Sequence, residues 1–236
     1  MSTARALRGF RFPAEVVLWA VRWYLQFPIS YRDLEHMLAG RGVQVDHTTM
    51  YRWVQRFAPE LEKRTRRHLR PCRGPWHVDE TFVRVGGAWR YLYRAVDGTG
   101  QTVDFLLSAK RDKKAAKRFF RRALGRDNTR HPRTVVTDRL KSYPGAIRAM
   151  KREGELWRFV QPRRGRWLDN QVEQDHRRIK RPTRPMLGFG SFWTARRTLA
   201  GVEAMAMLAK GQVRAAPAND ISAQRAFVHE VFGLAA

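Results

Sequence analysis

The sequence predicts an α/β protein: a mixed sheet with flanking helices, preceded by an all-helical helix-turn-helix region. Three observations carry this. Apolar residues recur at helical spacing through the N-terminal part. From Trp76 the texture changes to alternating segments rich in Val and aromatic residues, separated by glycines. Beyond Asp112, apolar strand-like runs alternate with helical ones, the pattern of a sheet covered by helices.

Each element has its own local signal. Pro13 opens a helix whose buried stripe is Val17, Leu18, Val21 and Leu25, and Pro28 ends it. Ser30 is an N-cap for "YRDLEHMLAGRG", with Leu34, Met37 and Leu38 inward and Gly40 and Gly42 as stops. Asp46 caps "HTTMYRWVQRFAPEL", with Met50, Val54 and Phe57 inward. These two helices form a helix-turn-helix candidate. Its second helix turns His47, Thr48, Thr49, Arg52 and Gln55 outward, all types that bond base edges or phosphates. The basic stretch Lys63–Arg73 reads as a connector.

The sheet is predicted from Trp76–Val85, a Gly86-Gly87 hairpin turn, Ala88–Asp97 and Thr102–Lys110. A helix over Asp112–Leu124, a short buried strand over Arg133–Asp138, a helix near Ser142–Arg152 and a strand over Arg158–Pro162 follow. The chain then ends mostly in helices, and "SFWTARRTLAGVEAMAMLAKG" is amphipathic, suited to pack on the sheet or on a second subunit. The expected division is 1–62 helix-turn-helix domain, 63–74 basic linker, 75–212 catalytic domain and 213–236 C-terminal tail.

Charge narrows the function. Lys and Arg number 47 against 21 Asp and Glu, so the formal charge of +26 favours a polyanionic partner, with nucleic acid first and an anionic membrane surface second. The excess is spread, with 13 basic and 6 acidic residues in 1–70 and 10 and 2 in 110–130, which suits a long binding track. The apolar N-terminal run is interrupted by Glu15 and Arg22 and falls short of the roughly 20 residues that span a bilayer. It also lacks the layout of a signal peptide. A single cysteine, Cys72, rules out a disulfide framework within the chain and a thiolate zinc site, and fits a reducing cytoplasm.

Three acids stand where a mixed sheet converges: Asp79 inside the first strand, Asp138 at the carboxyl end of the fourth, and Glu173 on the late helix. Singly, each has a plain structural reading, as an ion-pair partner, a helix cap or an exposed helical residue. Together they suit hard divalent cations such as Mg²⁺ or Mn²⁺, two of which can serve phosphoryl transfer. Glu80, Asp97, Asp104, Asp169 and Asp175 are set aside by position: Glu80 by strand alternation, Asp97 as a turn residue and Asp169 as an N-cap. Glu173, Arg177 and Lys180 share one helix face, with His176 one position off it and Val172 and Ile179 buried. Arg177, Lys180 and His176 are candidate DNA contacts, as are Arg163, Arg164 and Arg166 in the preceding basic loop.

"WHVDET", "VVTDRLKSY" and "DNQVEQDHRRIKRPTRPMLGFGSFWTARRTLAGVEAM" resemble the motifs of DDE transposases of bacterial insertion sequences, above all family six, the group of element twenty-six. The resemblance runs from about Phe10 to Gln212. It implies an RNase H-like, retroviral integrase-type catalytic domain and a helix-turn-helix that reads terminal inverted repeats of double-stranded DNA. It also implies that Asp79, Asp138 and Glu173 form the metal-binding triad and that Lys180 holds the family's basic position. The chemistry implied is 3′-end cleavage by water, then strand transfer into target DNA, by a homo-oligomer at the bacterial nucleoid. Pro182 and Gly190 depart from the basic residues expected there. Two rival readings are a DNA-binding regulator with an inactive catalytic domain and an RNase H-like nuclease. The three acids speak against the first; the helix-turn-helix and the long third motif speak against the second.

Overall fold

Side-chain alternation along one strand organises the sheet. In β1 (Trp76–Val85), Trp76, Val78 and Glu80 point to one face and His77, Asp79 and Thr81 to the other. β2 (Ala88–Val96) returns antiparallel through Gly86 and Gly87. Their φ values of 56° and 75° are both left-handed, as a two-residue hairpin turn requires. β3 (Thr102–Ser108) extends the meander; after α4 (Lys113–Leu124), β4 (Thr134–Thr137) pairs parallel to β1. α5 (Ser142–Arg152) leads to β5 (Gln161–Arg164), parallel to β4. The sheet order is β3-β2-β1-β4-β5. This is the predicted mixed sheet, with β1 at its centre, and its topology is RNase H-like. The computed structural model describes residues 10–137, 142–164 and 170–234, with the side chains of 164, 170 and 171 left out.

One face of this sheet holds an apolar core. Val78, Tyr93 and Ala95 meet Phe119 and Phe120 of α4 and Tyr143, Ile147 and Met150 of α5. Acids in this unit are tied to structure. Asp104, buried on β3, is held by Arg122 (2.9 Å) and Arg126 (3.1 Å). Asp97 accepts from the backbone N–H groups of Arg73 (2.7 Å), Thr99 (2.9 Å) and Gln101 (3.0 Å), which fixes the turn between β2 and β3.

The helical part is built from both ends of the chain. The contacts divide the chain into Met1–Leu69 with Ile179–Ala236, and Arg70–Arg178. The expected division, by contrast, is linear along the sequence. α7 (Phe192–Ala209) and α8 (Ile221–Val231) join α1 (Ala14–Gln26), α2 (Tyr31–Ala39) and α3 (His47–Arg66). α7, expected to pack on the sheet or on a second subunit, packs on α3 and α1, and the tail left unassigned forms α8. Close approach explains α7: a Cβ on Gly201 would stand 2.6 Å from the Cβ of Ala58 in α3 and 2.6 Å from Leu25 of α1.

The local signals at the N-terminus hold. Ser30 and Asp33 form a reciprocal cap on α2, and Asp46 accepts from Thr48 N to cap α3. α3 runs on to Arg66, through part of the expected basic linker, although Pro59 lies inside it. Proline has no N–H to give the carbonyl four residues back. That carbonyl belongs to Gln55, and it accepts instead from Arg197 Nε of α7.

Candidate active site

Asp79 and Glu80 are neighbours with opposite fates. Glu80 turns into the apolar core and accepts from Arg111 and from the Tyr143 hydroxyl. Burial, then the Glu80 charge, pushes the Tyr143 phenol well above its usual range, so it stays a donor. Asp79 faces the other side of the sheet with 27% of its side chain exposed. Its cross-strand partner is Arg94 on β2, on the same face.

α6 (Asn170–Thr183) packs on that face. Val172, Asp175, His176 and Ile179 are among its buried residues, on one side of the helix. Asp175 meets Arg94 at 2.6 Å, with side-chain exposures of 4% and 0%. His176 Nε2 stands 3.4 Å from Asp79 Oδ2. These two contacts fasten α6 across β1 and β2. Glu173 is one helical turn before His176, hence beside this junction. Its side chain is 65% exposed, and Arg177 Nη2 donates to its Oε1 at 3.1 Å. Lys180 is exposed.

The third acid, Asp138, lies outside the described residues, as do Arg166 and the Asp169 cap position. What can be said is that Thr137, which ends β4, pairs with Val78, the neighbour of Asp79. Arg163 is exposed on β5; Arg164 is in the same strand, with its side chain outside the description. The predicted strand over 158–162 is shifted to 161–164, because pairing with β4 sets its start.

Two predicted DNA contacts turn inward. His176 is 5% exposed and aimed at Asp79. Gln55 is 7% exposed and donates from Nε2 to Thr198 Oγ1 at 2.8 Å, because α7 covers that side of α3. Thr48 and Arg52 are exposed, Thr49 is half-buried, and His47 Nδ1 stands 3.1 Å from Glu35 Oε2. Sequence reasoning missed Arg94 and Asp175 as parts of the site. The signal was available: 172, 175, 176 and 179 form a single buried stripe, so Asp175 had to meet a cation inside.

The donor set fits a hard divalent cation. Asp79 and Glu173 are carboxylates reached by solvent, which Mg²⁺ and Mn²⁺ accept while keeping water and phosphate oxygens in their shells. Among the described residues, one group of three possible donors lies within 4.8 Å of one another: Glu35, Asp46 and His47, in the helical part. The cap on α3 and the ion pair with Glu35 account for that group. Among the described residues, no helix is long and apolar enough to cross a membrane.

A β3-β2-β1-β4-β5 sheet with an aspartate on its central strand and a glutamate on the helix packed beside it defines the RNase H-like class. The family profile described as DDE domain, of IS240-type transposases, matches residues 74–212. The transposase of insertion sequence element IS257 in transposon Tn4003 of Staphylococcus aureus is 36% identical over 223 residues, 90% of this chain and 95% of that one. The transposase of element IS431mec from S. aureus strain Mu50 shows the same identity and coverage. The magnesium-bound HTLV-2 integrase catalytic core is 14% identical with a TM-score of 0.43, over 67% of this chain and 97% of that chain. The chain belongs to the DDE transposases of insertion-sequence family six.

Proposed function

We propose that this transposase cuts DNA at the ends of its insertion sequence and joins the freed 3′ ends to target DNA, with Asp79, Asp138 and Glu173 holding two divalent ions. The observation that carries the reading is the 3.4 Å contact between His176 and Asp79. It sets the turn of Glu173 beside Asp79, while Thr137, paired with Val78, leads directly to Asp138.

The chemistry balances as two displacements at phosphorus. Water attacks the phosphodiester, a new P–O bond forms, and the bond to the 3′ oxygen breaks with a proton returned to it. The 3′-OH then attacks a target phosphodiester, and the target's own 3′ oxygen leaves. When bound, the ions supply an activated attacking oxygen and stabilise the leaving one. The chain's residues do the rest. Asp79 and Glu173 present oxygens, and His176 holds Asp79 in place. Arg177 and Lys180 draw phosphates, joined by Arg163, Arg164 and Arg166 upstream. The exposed Glu173–Arg177 pair is weak, about 0–1 kcal/mol, so Arg177 is free to turn to a phosphate once Glu173 binds metal. Thr48, Thr49, Arg52 and His47 contact the terminal repeats from α3, and two copies or more act together because two ends are joined in one event.

Asp79→Asn and Glu173→Gln are expected to reduce Mg²⁺-dependent strand transfer on element-end duplexes by about 10³-fold or more, the scale of losing a metal contact of several kcal/mol. A mobility shift with the same duplexes should be nearly unchanged. Wild-type strand transfer by either variant would refute the assignment.

A further inference from the structure

A cavity between α1 and α8 takes no part in the proposed reaction. It has a volume of about 330 Å³ and lies within the part built from the two chain ends. Cavities of this order hold small-molecule ligands. Val16, Leu18 and Trp19 of α1 and Val228 of α8 give it apolar walls. Two arginines line it as well, Arg22 from α1 and Arg225 from α8, against a single acid, Glu15.

Arg22 sets this cavity apart. It is 9% exposed, and its Nε and Nη1 are enclosed with no hydrogen-bond partner. Among the described residues Nη2 has no partner either, but it keeps accessible surface, so the guanidinium meets the cavity through Nη2. An arginine keeps its proton in a protein. Arg22 is therefore a buried cation without a counterion, a state that is rare because buried charges are normally paired. Burial, then the Arg225 charge, lowers its pKa from the ordinary arginine value.

The surroundings deepen the deficit. Arg225 is exposed and adds a second positive charge to the same space. His229, also in the lining, is held below its ordinary value by burial first and Arg225 next. Its imidazole is thus neutral at pH 7 and brings hydrogen-bonding capacity without charge. Glu15 is exposed and forms no ion pair with either arginine among the described residues. Counted in full, it still leaves one of the two positive charges unanswered. Water can satisfy the guanidinium's hydrogen bonds but not its charge, so the fitting occupant is an anion. One excess charge matches a monoanion, and the apolar walls match an apolar body. Inorganic phosphate offers no such body, whereas a carboxylate is the planar partner that a guanidinium grips.

We propose that this cavity binds a small organic carboxylate, its carboxyl group held by Arg22 and Arg225 and its apolar body laid against Val16, Leu18, Trp19 and Val228. An occupant there touches α1 and α8 at once, and so ties the first helix of the chain to the last.

The test titrates the full-length chain with benzoate, phenylacetate and hexanoate by calorimetry, with benzamide and inorganic phosphate alongside. At least one carboxylate should bind saturably and about 10-fold or more tighter than uncharged benzamide, the scale of one charge-assisted hydrogen bond. Arg22→Met should weaken that binding by about 10-fold or more, and Arg225→Gln should weaken it too. Arg22→Met should also melt no lower than wild type, since it removes a buried charge that has no partner. A much lower melting temperature would show that Arg22 is already paired and would overturn the proposal. No saturable binding by any of the carboxylates overturns it, as does equal binding by benzamide, which would mark a cavity indifferent to charge. Unchanged binding in Arg22→Met would place the carboxylate elsewhere on this basic chain and overturn the assignment. Phosphate binding tighter than every carboxylate would make this a site for phosphate groups and overturn the carboxylate reading.

Discussion

Arg94 and Asp175 form a buried pair that orients the helix carrying the proposed metal ligand Glu173. Both are buried, and their contact joins β2 to α6, the helix of Glu173. Removing one member takes from a buried charge its 2.6 Å partner, and breaking a buried pair in this way typically costs about 3–5 kcal/mol. Arg94→Met and Asp175→Leu should each lower stability by that order in chemical denaturation. The double substitution should recover most of the loss, since an apolar pair avoids desolvation altogether. Strand transfer should recover less than stability does, because the apolar pair no longer sets the angle of α6. Equal recovery of both would assign the pair to stability only. The same comparison separates Asp79 from Glu80. Their parity on β1 was legible from alternation, and the structure agrees. The inward turn of His176 was less so, because a helical position between two faces is decided by what packs on it.

At the scale of elements, the order of three strands and then alternating helices and strands was readable from turn glycines and residue alternation. The caps at Ser30 and Asp46 were readable as well. The displaced fifth strand was not, because "RFVQP" is strand-like by composition while the pairing of Thr134 with Gln161 starts the strand later. Pro162 is tolerated there because β5 is an edge strand. The sequence pattern carries the third helix through Pro59 to Leu61, and the structure extends it to Arg66. That continuity depends on Arg197, which supplies the donor Pro59 lacks. Arg197→Met should destabilise the chain by about 1–3 kcal/mol, the cost of an unsatisfied buried carbonyl. In a Pro59→Ala background, where the helix regains its own N–H, the same substitution should cost clearly less. A thermodynamic cycle over the four proteins measures the difference, and a coupling near zero would dismiss the account.

For the whole molecule, the decisive fact is that the first and last segments are packed as one. Phe227, Val228, Val231 and Phe232 are all buried, and Phe232 meets Phe57 of α3 edge-on at 6.0 Å. Burying such a side chain is worth about 1.5–3 kcal/mol. Four of them rival the whole stability of a domain, about 5–15 kcal/mol. Truncation after Gln212 should therefore abolish the cooperative melting of the helical part and its binding to element ends; a truncated chain with native melting and binding would contradict this. Nothing in composition announced the pairing, since "APANDISAQRAFVHEVFGLAA" carries an ordinary amphipathic helix with no mark of its partner. The arrangement also sets a timetable for synthesis. α1, α2 and α3 leave the ribosome early, yet α7 and α8 come only after the entire sheet has been translated. Until then Leu25, Ala58 and Phe57 lack the cover that α7 and α8 give them, and apolar surface left open in a nascent chain is prone to aggregate. A message broken before its last codons thus yields a polypeptide carrying all three acids but without a finished helical part.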